Sequence, residues 1–380
     1  MMHRARTAVV FAVALATTVV QLQAAAAEKP GQPGVASENL TPSGLVVVLT
    51  TRDLGDASWR KAVASPSMSG VALQIHWNDL EPAKGKLDWS KLDELFDAAA
   101  TSKKWVQLLI FPGFFTPEWA LDGVKTTQFP IQYGPGKGDI MALPMPWDAV
   151  YLHRWFAFVK LVSDRYGSNA AFRMIGAAGP TSVSVETTLP ASPKDLEKWQ
   201  DDSYTPTKYI GAWQQALQTY ATDFPNQYVS LSGLGSGLNI NDQGKTDSDE
   251  HLRTRQKIID AAISALGSRF GLQYSNLDAI PRSDDERMTF VFSYIGRSVT
   301  GLQMRTSAGN PGMGPPSDSP ALVLQEAIDK GLQPNADGKR VTYLEIYERD
   351  VLDDEMQAVL RYGASLFTAQ PLARPLPVPR

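Results

Sequence analysis

The sequence predicts an α/β protein in which parallel strands close into a (β/α)8 barrel, the TIM-barrel architecture. Two observations lead to this prediction. Eight short apolar or alternating runs occur along the 380 residues, and longer segments with helical spacing of apolar residues separate them. Strands that alternate with helices pair in parallel, and eight such repeats are enough to close the sheet. An open, doubly wound sheet is the alternative that this pattern allows.

The candidate strands are runs of five to seven residues that are apolar or alternate between apolar and polar. In chain order they are LVVVLT from Leu45, VALQIHW from Val71, WVQLLIF from Trp105, FRMIGAA from Phe172, YVSLSGL from Tyr228, GLQYSNL from Gly271, GLQMR from Gly301 and VTYLEIY from Val341. Between them, apolar residues recur three or four positions apart, which predicts amphipathic helices within 92–99, 151–162, 210–220, 252–266, 288–295 and 356–367.

The chain ends predict an exported protein with one folded domain. Residues 1–27 combine an arginine-containing start, a short apolar core and a small-residue cleavage site, as a signal peptide does. Residues 28–43 form a polar, flexible lead-in, 44–368 the barrel, and 369–380 a tail with four prolines. We therefore expect a periplasmic or secreted protein with no stable membrane anchor after cleavage. An uncleaved anchor is the alternative.

Composition excludes several classes of function. A net charge of −4 and a pI of about 5.7 argue against a nucleic-acid partner. The chain has no cysteine, so it holds no disulfide and no thiolate metal site, and its four histidines show no HxH or HExxH spacing. No phosphate-binding or dinucleotide-binding glycine pattern occurs either. We predict no cofactor, and the sequence does not indicate the oligomeric state.

The loops indicate which end of the barrel carries function. Helix-to-strand connections are short, whereas several strand-to-helix connections are long, and in barrels the latter build the active site. The loop from Pro112 to Pro146 is rich in aromatic residues, which suit the apolar faces of sugars as well as plain packing.

One face of several predicted strands is polar, which a fully buried parallel strand would not need. Side chains two residues apart share a face, so the polar sets are Gln74 with His76, Ser230 with Ser232, Gln303 with Arg305, and Tyr343 with Glu345 and Tyr347. Buried polar groups require hydrogen-bond partners. The hydroxyl groups of a sugar bound in a cavity at this end of the strands would supply these partners.

Glycoside hydrolysis needs two carboxyl groups, and two acidic residues stand apart from the charged helical and loop runs. Glu186 follows the fourth strand in an uncharged stretch, and Glu345 lies inside the eighth strand. We predict Glu186 as proton donor and Glu345 as second carboxylate; a helix-capping role for Glu186 and an ion pair for Glu345 are the alternatives. The predicted sugar contacts are His76, Trp77, Trp119, Gln273, Asn276, Gln303, Arg305 and Tyr347.

Three stretches carry a family resemblance: WNDLEPAKGKLDWSKLDELFDAAATSKKWVQLLI, TPEWALDG and PWDAVYLHRWFAFVKLVSDRYG. They resemble the retaining glycoside hydrolases of the (β/α)8 superfamily that includes β-galactosidases and β-glycanases. The resemblance implies an acid/base Glu at the end of strand four, where Glu186 stands, although Val185 replaces the usual preceding Asn. It also implies a nucleophilic Glu at the end of strand seven, where GLQMR has none.

The sequence thus predicts an exported hydrolase of carbohydrate metabolism, a glycosidase that cleaves an oligo- or polysaccharide through a pair of Glu carboxyls. Two alternatives remain. One is a catalytically inactive barrel that binds carbohydrate, which the missing strand-seven Glu favours. The other is a structural or assembly protein of the cell envelope on the same fold.

Overall fold

The computed structural model describes residues 41–134, 136–233, 237–281 and 285–368. The predicted signal peptide, most of the lead-in and the proline-rich tail lie outside these residues, and those assignments stay predictions. Within the described part, eight parallel strands form a closed barrel, which confirms the predicted fold class. All eight predicted strands are present, in the predicted order, and the open-sheet alternative is wrong.

The described part of the chain contains ten short strands, and eight of them belong to the barrel. They are β1 (Gly44–Thr50), β2 (Gly70–His76), β3 (Trp105–Phe111), β4 (Thr126–Pro130), β5 (Ile140–Pro144), β6 (Phe172–Gly176), β7 (Tyr228–Ser232), β8 (Phe270–Leu277), β9 (Val299–Met304) and β10 (Tyr343–Tyr347). Around the barrel the order is β1, β2, β3, β6, β7, β8, β9, β10, and β10 pairs with β1. The fourth barrel strand is thus β6, and the seventh is β9.

The helices follow the strands as a (β/α)8 barrel requires. They are α1 (Trp59–Ala64), α2 (Trp77–Leu80), α3 (Ser90–Ser102), α4 (Ala149–Tyr166), α5 (Pro193–Asp201), α6 (Pro206–Asp223), α7 (Glu250–Leu266), α8 (Glu286–Phe292), α9 (Pro320–Gly331), α10 (Glu348–Leu352) and α11 (Gln357–Ser365). No helix among the described residues has both the length and the apolar content that crossing a membrane requires.

Side-chain caps fix where the longer helices begin. Asp148 accepts hydrogen bonds from the second and third backbone amides of α4, and Ser192 forms a capping box with Asp195 at the start of α5. Thr205 and Ser319 cap α6 and α9, each with proline at the first helical position. These caps satisfy amides that otherwise lack intrahelical partners, and so define the length of the preceding βα loops.

The end of the barrel that faces away from the long loops is filled by aromatic rings. Trp105 and Tyr343 point inward and meet edge to face, with ring centroids 5.9 Å apart. Gly70 and Gly301 make room for them, because a Cβ on Gly301 would lie 2.0 Å from Cζ of Tyr343. This plug closes one end of the barrel and leaves the carboxyl end of the strands for a site.

The long loop after β3 contains a hairpin that the sequence analysis missed. Strands β4 and β5 pair antiparallel, with Phe129 opposite Met141. Phe129 is fully buried and stacks on Trp199 of α5, with ring centroids 4.5 Å apart. The hairpin is therefore packed onto the βα loop that follows β6, beside the mouth of the barrel.

Candidate active site

A cavity of about 580 Å³ opens at the carboxyl ends of the strands, on the face that the long loops predicted. Its lining comes partly from inward-facing side chains of the barrel strands and partly from the loops that follow them. Seven of the ten predicted site residues line it: His76, Glu186, Gln273, Asn276, Gln303, Arg305 and Tyr347. Their roles in binding or catalysis stay predictions.

Glu186 reaches the cavity by an unusual backbone route. Strand β6 ends at Gly176, which pairs with Ser230 of β7, and the chain then leaves the barrel. It returns at Glu186, which forms a bridge with Ser232, and the next amide, that of Thr187, donates to the Ser232 carbonyl at 3.0 Å. Glu186 thus occupies the ladder position that β6 would have reached had it continued by two residues.

The excursion between Gly176 and Glu186 is held from the β3 side. The backbone amide of Phe114 donates to the carbonyl of Ser182 at 3.0 Å. Gly113 permits this approach, because a Cβ there would lie 2.1 Å from the Ser182 carbonyl oxygen and its φ is +59°. The close contact fixes the segment that carries Glu186, although it is not a regular strand.

Burial dominates the electrostatics of Glu186. The loss of solvent raises the pKa of its carboxyl, because burial penalises the charged form. Hydrogen bonds from Tyr133, Ser275 and Thr188 and the charge of Arg287 oppose this shift without cancelling it. A carboxyl that keeps its proton at higher pH than usual, and lies at a cavity wall, has the property that a general acid needs.

Two aromatic residues of the long loop reach the cavity, as the sequence suggested for that loop. Phe115 stacks on the imidazole of His76, with ring centroids 3.7 Å apart and planes 6° from parallel. The hydroxyl of Tyr133 lies 3.1 Å from Oγ of Ser184 and 3.4 Å from Oγ1 of Thr188. Together with the apolar side chains of Leu109, Phe111 and Val185, these rings give the cavity an apolar side, which suits a sugar ring.

His76 is held between this stack and a carboxylate. Its Nδ1 lies 3.5 Å from Oδ2 of Asp79, which also accepts a hydrogen bond from Thr51 at 3.1 Å. Burial lowers the pKa of His76, and the negative charge of Asp79 opposes that shift. The neutral imidazole is therefore favoured, and it can accept a proton.

The structure does not place Glu345 where its predicted role needs it. The side chain is fully buried and is not among the lining residues. Nε2 of Gln273 donates to its Oε2 at 2.9 Å, and Tyr343 donates to Oε1 of Gln273 at 2.9 Å. Burial raises the pKa of Glu345 to about 8, so its carboxyl is mostly neutral at pH 7. A nucleophile or base must be ionised and in reach of substrate, and burial and the raised pKa both disfavour that role for Glu345.

The two predicted tryptophan contacts are also corrected by the structure. Trp77 begins α2 and is fully buried, with Trp155 5.2 Å and Trp119 5.9 Å away between ring centroids. Trp119 is partly exposed but does not line the cavity, and its Nε1 donates to the carbonyl of Glu81 at 3.0 Å. Both rings pack the loop after β2, because the chain turns into a helix at Trp77 instead of continuing toward the mouth.

Arg305 and Arg287 bring positive charge to the cavity, and of the two only Arg305 was predicted from the sequence. Arg305 follows β9 and forms an ion pair with Asp278, Nη1 to Oδ2 at 3.2 Å. Glu345 forms no ion pair with Arg305 or with another cation among the described residues, so the ion-pair alternative for Glu345 is wrong. Arg287 lies on α8, whose orientation follows from tertiary packing, so no sequence pattern marked it. Among the described residues, no cluster of three or more acidic or histidine side chains could hold a metal ion.

Comparison with known proteins supports the fold. No protein-family model matches the chain, and no curated protein matches it in sequence. Among solved structures, it is similar to a β-galactosidase from Halorubrum lacusprofundi, with a TM-score of 0.52 and 10% identity over 84% of this chain and 57% of that one.

Two further solved structures show the same kind of likeness. A β-galactosidase from Marinomonas ef1 gives a TM-score of 0.48 at 13% identity, over 80% of this chain and 53% of that one. Xylanase 10B from Thermotoga petrophila gives 0.48 at 11%, over 81% and 82%. The chain therefore spans little more than half of either β-galactosidase. At 10% identity, the similarity to the Halorubrum lacusprofundi structure concerns the fold alone, and it agrees with the closed eight-stranded barrel of this chain.

Proposed function

We propose that the protein is an exported glycoside hydrolase that binds an oligo- or polysaccharide in the cavity and uses Glu186 as proton donor. One observation carries the proposal: Glu186 supplies the one carboxyl among the described residues that line the cavity, and burial raises its pKa. The amide and hydroxyl side chains around it can hydrogen-bond sugar hydroxyls, and the barrel is one on which glycosidases are built. Export rests on the N-terminal sequence alone.

The reaction needs two proton transfers, one to the glycosidic oxygen that leaves and one from the water molecule that attacks. Glu186 gives its proton to the glycosidic oxygen as the bond from that oxygen to the anomeric carbon breaks. A water molecule forms the new bond to the anomeric carbon and loses a proton. In the described lining, the side chain suited to accept that proton is the neutral imidazole of His76, with Asp79 beside it to stabilise the imidazolium.

Glu345 takes a supporting role in this account. Through Gln273 it is joined to Tyr343 and to Gln107, whose Nε2 donates to Gln273 at 3.1 Å. Gln273 itself lines the cavity. The buried network therefore fixes the orientation of one amide at the floor of the site, which is a positioning role and not a chemical step.

A barrel that binds carbohydrate without cleaving it is the second candidate. The observation that favours it is the full burial of Glu345, since no second carboxyl of the described residues reaches the cavity. The two candidates share the binding site and differ in turnover. Under the second, Glu186 serves as a hydrogen-bond donor to the ligand.

Hydrolysis of a glycan panel by the mature protein tests the proposal. We expect the wild type to cleave at least one member, and Glu186→Gln to lower kcat by about 10²–10⁴-fold, as loss of a general acid does. Glu118→Gln, an exposed glutamate of the loop after β3, is the matched control and should keep full activity. Full activity of Glu186→Gln would exclude Glu186 as proton donor. Saccharide binding by the wild type with no turnover would establish the second candidate.

A further inference from the structure

The cavity carries an excess of positive charge that a neutral sugar does not need. Arg287 and Arg305 both line it, and Glu186 is the one acidic residue of the described lining. Burial favours the protonated form of Glu186 and the neutral form of His76. Even with Glu186 ionised, the described lining holds two guanidinium groups and one carboxylate, with Asp278 behind it as the partner of Arg305.

Contacts with neighbouring residues hold the side chain of Arg305 in place. Besides its ion pair with Asp278, its Nη2 donates to the carbonyl of Gly312 at 2.7 Å. Gly312 makes room for the guanidinium, because a Cβ there would lie 3.0 Å from Nη2. The fully buried Asp278 also has Nζ of Lys330 at 3.5 Å, so one carboxylate is shared by two cations. The three side chains therefore carry a net positive charge, and Arg305 is the one of the two cations that lines the cavity.

Arg287 differs from Arg305 because it has no such restraint. It lies on α8 at the exposed rim of the cavity, and it makes no ion pair or hydrogen bond with the other described residues. Arg287 and Glu186 line the same cavity, and the positive charge of Arg287 opposes the rise in the pKa of the Glu186 carboxyl. A guanidinium free to point into the cavity can bind a planar or tetrahedral anion with two parallel hydrogen bonds.

We propose that the saccharide bound in this cavity is anionic, and that Arg287 and Arg305 bind its carboxylate or sulfate group. The inference rests on the proposed function and names its substrate class: a glycan with uronic acid residues or sulfate esters. Electrostatic attraction by a positively charged mouth also speeds the approach of such a polyanion. Neutral glycans of the same sugars lack the partner that the two guanidinium groups require.

Calorimetric binding of matched saccharides to the mature protein tests this. The probes are glucuronate, galacturonate and mannuronate oligosaccharides, the same compounds with each carboxyl reduced to a hydroxymethyl group, and sulfated galactan oligosaccharides. We expect an acidic probe to bind at least tenfold more tightly than its neutral counterpart, and that preference to weaken as salt is raised. The uronate and sulfate arms identify which anion is bound.

Variants then assign the preference to the cavity. Arg287→Gln should lower the affinity for the acidic probe about tenfold and that for the neutral counterpart much less, because only the acidic probe offers an anion to the guanidinium. The exposed Arg297, which lies over the ring of Tyr294 outside the cavity, provides the control Arg297→Gln, which should change neither. Equal binding of acidic and neutral probes would overturn the inference while the proposed function stands. If no probe of either kind binds, the inference is overturned and the proposed function loses its binding step.

Discussion

Replacement of Glu345 by glutamine should change how the stability of the protein depends on pH. The pKa of the buried carboxyl is raised from 4.5 to about 8 in the folded protein. Above pH 4.5 the unfolded chain ionises this group while the folded protein keeps it protonated, so the folded state loses relative stability as pH rises. With about 1.36 kcal/mol per pKa unit, this loss approaches roughly 3 kcal/mol at pH 7 and roughly 5 kcal/mol above pH 8.

Glutamine keeps the oxygen that accepts from Gln273 but cannot ionise. The free energy of unfolding of wild type and Glu345→Gln, measured in urea from pH 5 to pH 9, should therefore diverge by about 4 kcal/mol, the wild type losing more. Glu94→Gln, which removes an exposed carboxyl, controls for the change in net charge. Because only the pH dependence of the difference is used, any constant effect on packing cancels. Parallel curves would refute the burial argument for Glu345 and reopen its role as a catalytic carboxylate.

Three further predictions concern packing and catalysis. Trp77→Ala should lower the free energy of unfolding by about 3–5 kcal/mol in urea titrations, as loss of a buried ring does, and leave the dissociation constant for a bound saccharide unchanged; weaker binding with intact stability would return Trp77 to the cavity. Gly301→Ala should lower the free energy of unfolding by on the order of 1–3 kcal/mol or more in the same assay, because the added Cβ would overlap the ring of Tyr343. Wild-type stability of this variant would show that the ring can move. The profile of kcat/KM should fall at low pH as His76 is protonated, below its ordinary value of 6.5, and at high pH as Glu186 loses its proton; a flat profile would exclude both assignments.

The fold was predictable because its signals are local. Each barrel strand is an apolar or alternating run, and most of the helices show the 3.6-residue period on their own. The hairpin of β4 and β5 was missed, because its strands pair only with each other and their stability comes from Phe129 packing on a distant helix. Short elements held by tertiary contacts leave little trace in a sequence.

The sequence predicted which strand side chains face the inside of the barrel, but not how deep along the barrel axis each of them lies. Alternation along a strand tells which side chains point inward, and Gln74, His76, Gln303 and Tyr347 all line the cavity as that rule requires. Depth along the barrel axis depends on strand stagger, which sequence alone does not give, so Glu345 was taken for a cavity residue although it lies fully buried outside the lining.

Glu186 was found for a different reason. It is an isolated carboxyl in an uncharged stretch, and such a residue is rarely needed for solubility. The prediction held for the position of Glu186 at the cavity, although the backbone that carries it was not predicted. Nine residues separate Gly176, the last residue of β6, from Glu186, where pairing with β7 resumes. Arg287 could not be predicted in this way, because a charged residue on a short amphipathic helix is usually an ordinary solvent-exposed residue.

The dependence of the Glu186→Gln variant on the leaving group tests the central claim most directly. Two glycosides of the sugar that the wild type cleaves are compared, one with an alkyl leaving group that needs a proton and one with a dinitrophenyl group that departs without it. If Glu186 is the proton donor, the variant loses about 10²–10⁴-fold in kcat/KM on the alkyl glycoside and little on the dinitrophenyl glycoside. Equal losses on both, or no loss on either, would contradict the assignment of Glu186 as general acid.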